Sequence, residues 1–336
     1  MERLIVAMDV SAAGHLKFAR IADRVLNVEH RLVCGPVPYV DDPADYFEAL
    51  AAMPAVGADS ALDNAAVYPE QWADCDRAWR ELPSQLAEFS RVELWVDPVP
   101  NTQLILVQLL DWLGRRQELV DKLHIVHAET PLGRRSEGDL ATLQPHVQPV
   151  GTWELTLATR TWRALTASTP EPWRDLLASD LDALPNLRQT VVARLRELPD
   201  TQTGLGRTAR LLLTQVAAGE VSVLDVLRRY LQVEPPEIYQ YWEAGRALEE
   251  LAGGPQPAIV GLADGPFDLA LHDDRARFAL YRQSRLSLLP LGHALLAGRA
   301  DLVRENPRRR WWGGTQLDAQ RPWRWDNAQG LLVAPR

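Results

Sequence analysis

The chain has 336 residues, 46% of them apolar and 24% charged, with a formal charge of −9. These values exclude a disordered, collagen-like or disulfide-scaffold protein, and the negative charge opposes a broad nucleic-acid or anionic-membrane footprint. At about 150 residues per domain the length predicts two or three domains.

No run approaches the ~20 apolar residues of a membrane span, and the N-terminal apolar run is too short for a signal peptide. Cys34 and Cys75 stand far apart, without C-x-x-C spacing. A cytoplasmic protein with two reduced thiols and no membrane contact is expected. Twelve Trp, and only Lys17 and Lys122 among 36 basic residues, invite a binding-site reading. Residues 1–200 hold 19 basic and 30 acidic groups, net −11, whereas residues 201–336 hold 17 and 15, net +2.

In chain order, Leu4–Met8 reads as a buried parallel strand ending in Asp9. Ser11 is expected to cap a helix over Ala12–Ala22. Arg24–Val28 with Leu32–Val33 predicts the second strand, and Cys34–Pro38 an irregular turn. Ala44–Met53 and Glu70–Phe89 read as helices, the latter broken at Pro83. Val92–Val96 predicts the next strand, Gln103–Leu113 a strongly apolar helix, and Leu123–Val126 a fourth strand. This alternation predicts an α/β fold: an N-terminal parallel-sheet, three-layer, Rossmann-like domain over residues 1–150.

A helical connector is expected over residues 151–200, with helices Trp153–Ser168, Glu171–Ser179 and Leu184–Leu198. Residues 201–336 open with helices Gly204–Ala218, Val221–Leu231 and Pro236–Leu251. Strand-like runs Pro257–Leu262 and Phe278–Leu289, the helical Leu291–Leu296 and a Trp-rich tail follow. Three helices and then a small β ribbon is a winged-helix-like order.

Several short motifs then fall into place: Asp9-Val10-Ser11-Ala12-Ala13-Gly14, Gly35-Pro36, Leu94-Trp95-Val96 with Gln103-Leu104, and the ending Trp311-Trp312-Gly313-Gly314 through Trp323-Arg324-Trp325-Asp326. With them the chain resembles a bacterial family catalogued as a domain of unknown function, in its longer form. The resemblance implies the fold and no particular activity. Met8 stands where that family has Gly before the Asp, which removes the reason for a close backbone approach at that point.

In doubly wound sheets ligands bind outside the carboxyl ends of the strands, where helix N-termini suit anions. Asp9, Ser11, Gly14 and His15 follow the first strand, Gly35 and Pro36 the second, Asp97, Asn101 and Gln103 the third, His127 and Glu129 the fourth. A small anionic, nucleotide-like ligand is therefore expected there, coupled to a regulatory or protein-binding C-terminal part. Ser11 as a plain cap and Asp9 and Asp97 as turn-stabilising carboxylates are the structural alternatives. A hydrolase or transferase using Asp9 or Asp97 is the enzymatic alternative.

G-x-G-x-x-G, G-x-x-x-x-G-K-[ST] and G-x-S-x-G are all missing, so no standard dinucleotide, P-loop or hydrolase-elbow chemistry and no cofactor is assigned. His124 and His127 fall on opposite faces of a strand, and the other His are scattered, so no metal site is expected.

In the third part, a transcription regulator is the further alternative. The helix in the recognition position carries Glu237, Glu243, Glu249 and Glu250 against Arg246, which disfavours DNA. The alternative is that the unit packs on its neighbours or on another protein, a partner or a second copy. In the tail, Arg310, Trp311, Trp323, Arg324 and Trp325 read either as a stacking platform or as a Trp-sealed mini-core closing the C-terminal domain, the latter preferred.

Overall fold

A computed structural model describes residues 2–54, 69–219, 221–233, 237–263 and 265–335. Its centre is a five-stranded sheet built from β1 (Arg3–Ala7), β2 (Arg24–Asn27), β3 (Arg91–Val96), β4 (Leu123–His127) and β5 (Val147–Pro149). The order is β2-β1-β3-β4-β5, parallel except for the β4–β5 pair. Mostly apolar strands, interrupted by Glu93 in β3 and His124 in β4, allow both faces to be buried, as parallel strands require. Leu4 and Val6 face one core and Ile5 and Ala7 the other.

Helices cover both faces. On the smaller side α1 (Val10–Ala19) buries Ala12, Ala13 and Leu16. On the larger side lie α2 (Tyr46–Ala52), α3 (Pro69–Glu88) and α4 (Pro100–Leu113).

Three sequence expectations need correction here. The cap of α1 is Asp9, not Ser11: Asp9 is extended and its Oδ1 accepts the Ala12 N–H at 2.8 Å. The helix also stops at Ala19, because Arg20 takes a left-handed conformation. Pro83 does not break α3, which runs on through it. Trp79, Leu82 and Leu86 all lie in the large core, so burial along one face outweighs the lost backbone bond.

The middle region supplies α5 (Thr152–Leu165), α6 (Glu171–Asp175) and α7 (Leu187–Leu195), and α5 packs along α4. Residues beyond 200 form a second core. Its elements run α8 (Arg207–Val216), β6 (Val221–Ser222), α9 (Val223–Leu231), α10 (Tyr241–Ala252), β7 (Ile259–Val260), a short helix Leu269–Asp273, α11 (Arg275–Gln283) and β8 (Arg285–Leu288), followed by the short helices Pro290–Leu296 and Leu302–Glu305. The three strands form an antiparallel sheet in the order β6-β8-β7. Pro236, the expected start of the third helix, lies outside the described residues. The run Phe278–Leu289, read as one strand, is helix α11 followed by β8. Asp274 caps that helix by accepting the Ala276 and Arg277 N–H groups, and its turns place Tyr281 in the core.

The tail does not close the second core. Its hairpin β9 (Arg310–Trp312) and β10 (Thr315–Leu317) and its ribbon β11 (Arg324–Asp326) and β12 (Leu331–Val333) return to the first. Trp312, Leu317 and Trp325 are members of the large N-terminal core. Gly313 permits the turn: its φ is +64°, and a Cβ there would meet the Leu165 carbonyl oxygen at 2.3 Å. Most Trp are packing residues, as their helical spacing predicted, but Trp153 is 80% exposed. The Trp72 side chain lies outside what is described.

Candidate functional site

The chain leaves β1 toward β2 on one side, and β3 then adds on the other side of β1. This reversal opens a crevice at the carboxyl ends of β1 and β3, where ligands bind in open α/β sheets. A cleft of about 220 Å³ lies there. Of the sequence candidates, Asp9, Ser11, Asp97 and Asn101 line it; Gly14, His15, Gly35 and Gln103 do not.

The residues of the second group have other placements. Gly14 has open space around it, and His15 Nδ1 is buried without a partner. Gly35 is in the left-handed region, one residue before the bridge between Pro36 and Gly313. Gln103 donates to the Asp97 carbonyl at 2.6 Å, as does the Thr102 hydroxyl at 2.8 Å, so both hold the β3 exit loop. Asn101 spends its side chain as a brace, accepting from Leu32 N–H at 2.9 Å and donating to the His30 carbonyl at 2.8 Å. His127 and Glu129 do not line the cleft.

The floor is carboxylate-rich. Asp9 caps α1, Glu29 Oε2 accepts the Val10 N–H at 2.6 Å, and Asp97 Oδ1 accepts the Leu132 N–H at 3.0 Å. Two of the first N–H groups of α1 are thus taken by the protein's own carboxylates. Gly133 comes so close to Ser11 that a Cβ would stand 2.8 Å from the Ser11 Cβ. Burial pushes the Asp97 carboxyl up to about 7; the Leu132 N–H opposes this and the Asp9 and Glu29 carboxylates add to it. Burial, then Asp9, likewise raises Glu29.

An unfolded Asp titrates near ~3.9. Between there and about pH 7 the folded protein holds a proton that the unfolded chain has lost. Stability should therefore fall as pH rises through this window, by up to about 1.4 kcal/mol per pH unit for this group, and level off above it. Asp97→Asn keeps an oxygen for Leu132 and removes the titration. Urea midpoints measured across the window should decline less steeply in the variant; an undiminished slope would assign the titration elsewhere.

The roof comes from the second core: Tyr230 and Leu231 of α9, and Glu237, Tyr239 and Gln240 leading into α10. A buried ion pair fastens it. Arg31 donates through Nε and Nη2 to Glu243 Oε1 at 3.0 and 2.6 Å, and Glu243 Oε2 accepts the Gln240 N–H at 2.9 Å. Sequence reasoning missed Glu29 and Arg31, although they follow the second strand and the strand-end rule covered them. It passed over them for the Gly-Pro turn. Gly133, Tyr239 and Gln240 carry no local signal, since they come from connecting segments.

The tail residues fall outside this cleft and act as braces. Arg310 donates to the Glu197 carbonyl at 2.6 Å, and Trp311 Nε1 to the Pro54 carbonyl at 3.3 Å. Arg324 donates to the Asp200 carbonyl at 2.8 Å and pairs with Asp301 at 2.7 Å. Trp325 is buried, and Trp323, which precedes β11, packs on the large core. The guanidinium over the tail's Trp312 is that of Arg194, 4.6 Å from its ring centroid and 5.7 Å from that of Trp173.

Among the described residues no group of three or more His, Cys, Asp or Glu side chains could hold a metal ion. None of the described helices is long and apolar enough to cross a membrane. No family model matches the sequence, and no curated protein matches it either.

Proposed function

We propose that this protein binds a small polar ligand in the strand-end cleft and that the unit beyond residue 200 reads out its presence. The observation that carries the reading is the cleft's double lining: Asp9 and Asp97 of the sheet domain face Tyr239 and Gln240 of the other unit. A ligand touching both walls favours the docked arrangement by its differential affinity for it.

We read the second unit as a winged helix and the first as Rossmann-like. Supporting the former is the order helix, strand, helix, helix, strand, then a last strand that is central in the sheet, although the helix Leu269–Asp273 and α11 stand where a plain wing would have only a turn. In that reading α10 is the recognition helix, and its Glu243 is committed to Arg31. Its other acidic residues, Glu249 and Glu250, oppose a phosphate backbone. Protein contact therefore suits this unit better than DNA.

Hydrogen exchange of the full chain against a panel of nucleotides, sugar phosphates, amines and amino acids tests the coupling. A binder should protect residues 97–102 and 237–243 together. Protection confined to one wall would sink the readout. A hydrolase or transferase is favoured by one observation, the Asp97 carboxyl lifted to about 7, where a general acid–base works best.

A further inference from the structure

The charge of the cleft says what its occupant carries. Asp97 is only 4% exposed, yet it lines the cleft. Its Oδ1 is held by Leu132, and no protein donor among the described residues reaches its second oxygen. Asp9 and Glu29 repeat the pattern, each with one oxygen on a backbone N–H of α1.

Of the two guanidiniums in the lining, Arg31 gives Nε and Nη2 to Glu243, and Arg134 is not without a partner of its own. Glu237, in the roof, is already paired with Arg207 at 3.0 Å. Three carboxylates thus converge on a partly dry space, each with an oxygen that no described donor reaches. An anion entering here would meet this repulsion and would find the N–H groups of Val10 and Ala12 occupied. A cation would supply the missing donors and relieve the repulsion.

We infer that the cleft takes a small organic ligand through a primary ammonium or guanidinium group seated between Asp97, Glu29 and Asp9. The inference rests on the ligand-binding reading of the same cleft and specifies its chemical class. A planar guanidinium can bridge two of the oxygens at once, and an ammonium can donate to all three.

The test uses the full chain, with agmatine, which carries both groups, set against inorganic phosphate and AMP. Calorimetry measures affinity, and amide chemical shifts of Val10, Ala12 and Leu132 report the location. Agmatine should bind saturably and move these amides. Asp97→Asn and Glu29→Gln should each weaken it about tenfold or more, as expected for the loss of a charge-assisted hydrogen bond. Asp97→Asn keeps the oxygen that Leu132 uses and the side chain's shape, so it should fold; Glu29→Gln is the independent check.

Agmatine binding that neither variant weakens overturns the inference. Phosphate or AMP moving the same amides while agmatine does not also overturns it, and leaves the ligand-binding reading standing. If none of the three probes moves these amides, both readings fail.

Discussion

Arg31→Met is expected to destabilise the protein by about 3–5 kcal/mol, because it leaves the Glu243 carboxylate buried without its cation. The side chains of the pair are 16% and 7% exposed, and the contact length is 2.6 Å. Burial alone would push Glu243 up, yet Arg31 and the Gln240 N–H hold it below its ordinary value. The pair is strongly coupled, so the two losses should not add. Arg31→Met combined with Glu243→Gln, which keeps the cap on α10, should recover most of the stability lost by the single change. Urea unfolding of the wild type, both single variants and the double variant measures this. Additive losses would mean that the two side chains act separately and that the roof is not fastened through them.

Trp312→Ala is the second large effect, expected to cost about 3–5 kcal/mol as a buried aromatic truncation. The ring lies in the large core, edge-on to Trp173, and its Nε1 donates to the Arg194 carbonyl at 3.2 Å. It also covers the buried Arg194 guanidinium, which has no carboxylate partner among the described residues and which burial pulls down to about 10. Losing that cover uncovers a polar group as well as opening a cavity. Trp312→Phe keeps a ring and should cost clearly less. If the tail were a mini-core of its own, Trp312→Ala would leave the unfolding of the sheet domain unchanged when followed by the fluorescence of buried Trp79 or Trp95.

Much of the sheet domain was legible in the sequence because its signals are local. The runs at Leu4, Val92 and Leu123 are apolar and short, and β1, β3 and β4 sit within a residue of them. The strand-end rule points to Asp9, Ser11, Asp97 and Asn101, and these four line the cleft. The misreadings arose where two local preferences compete. Asp9 and Ser11 are both good caps, and the one with extended backbone at the strand exit took the role. In 278–289 the apolar residues fit either period, and the Asp274 cap resolved them as helix.

The carboxylate lining of the cleft was not legible. The sequence suggested an anion from the helix N-terminus, a feature of one element. Whether the Val10 N–H stays open depends on Glu29, which is nineteen residues away and arrives from the end of β2. The same holds for the roof, since nothing near Arg31 signals Glu243, 212 residues further on.

Length, composition and charge at the outset pointed to a globular chain of two or three domains with an acidic N-terminal part. Apolar periodicity determined the parallel sheet and its helices, because burial of a strand or helix face is written into neighbouring residues. Only the tertiary structure decided that the Trp-rich tail seals the first core rather than the second, and that the cleft is acidic and roofed. Those outcomes depend on which distant surfaces meet, and side-chain pairing across such contacts leaves no period in the chain.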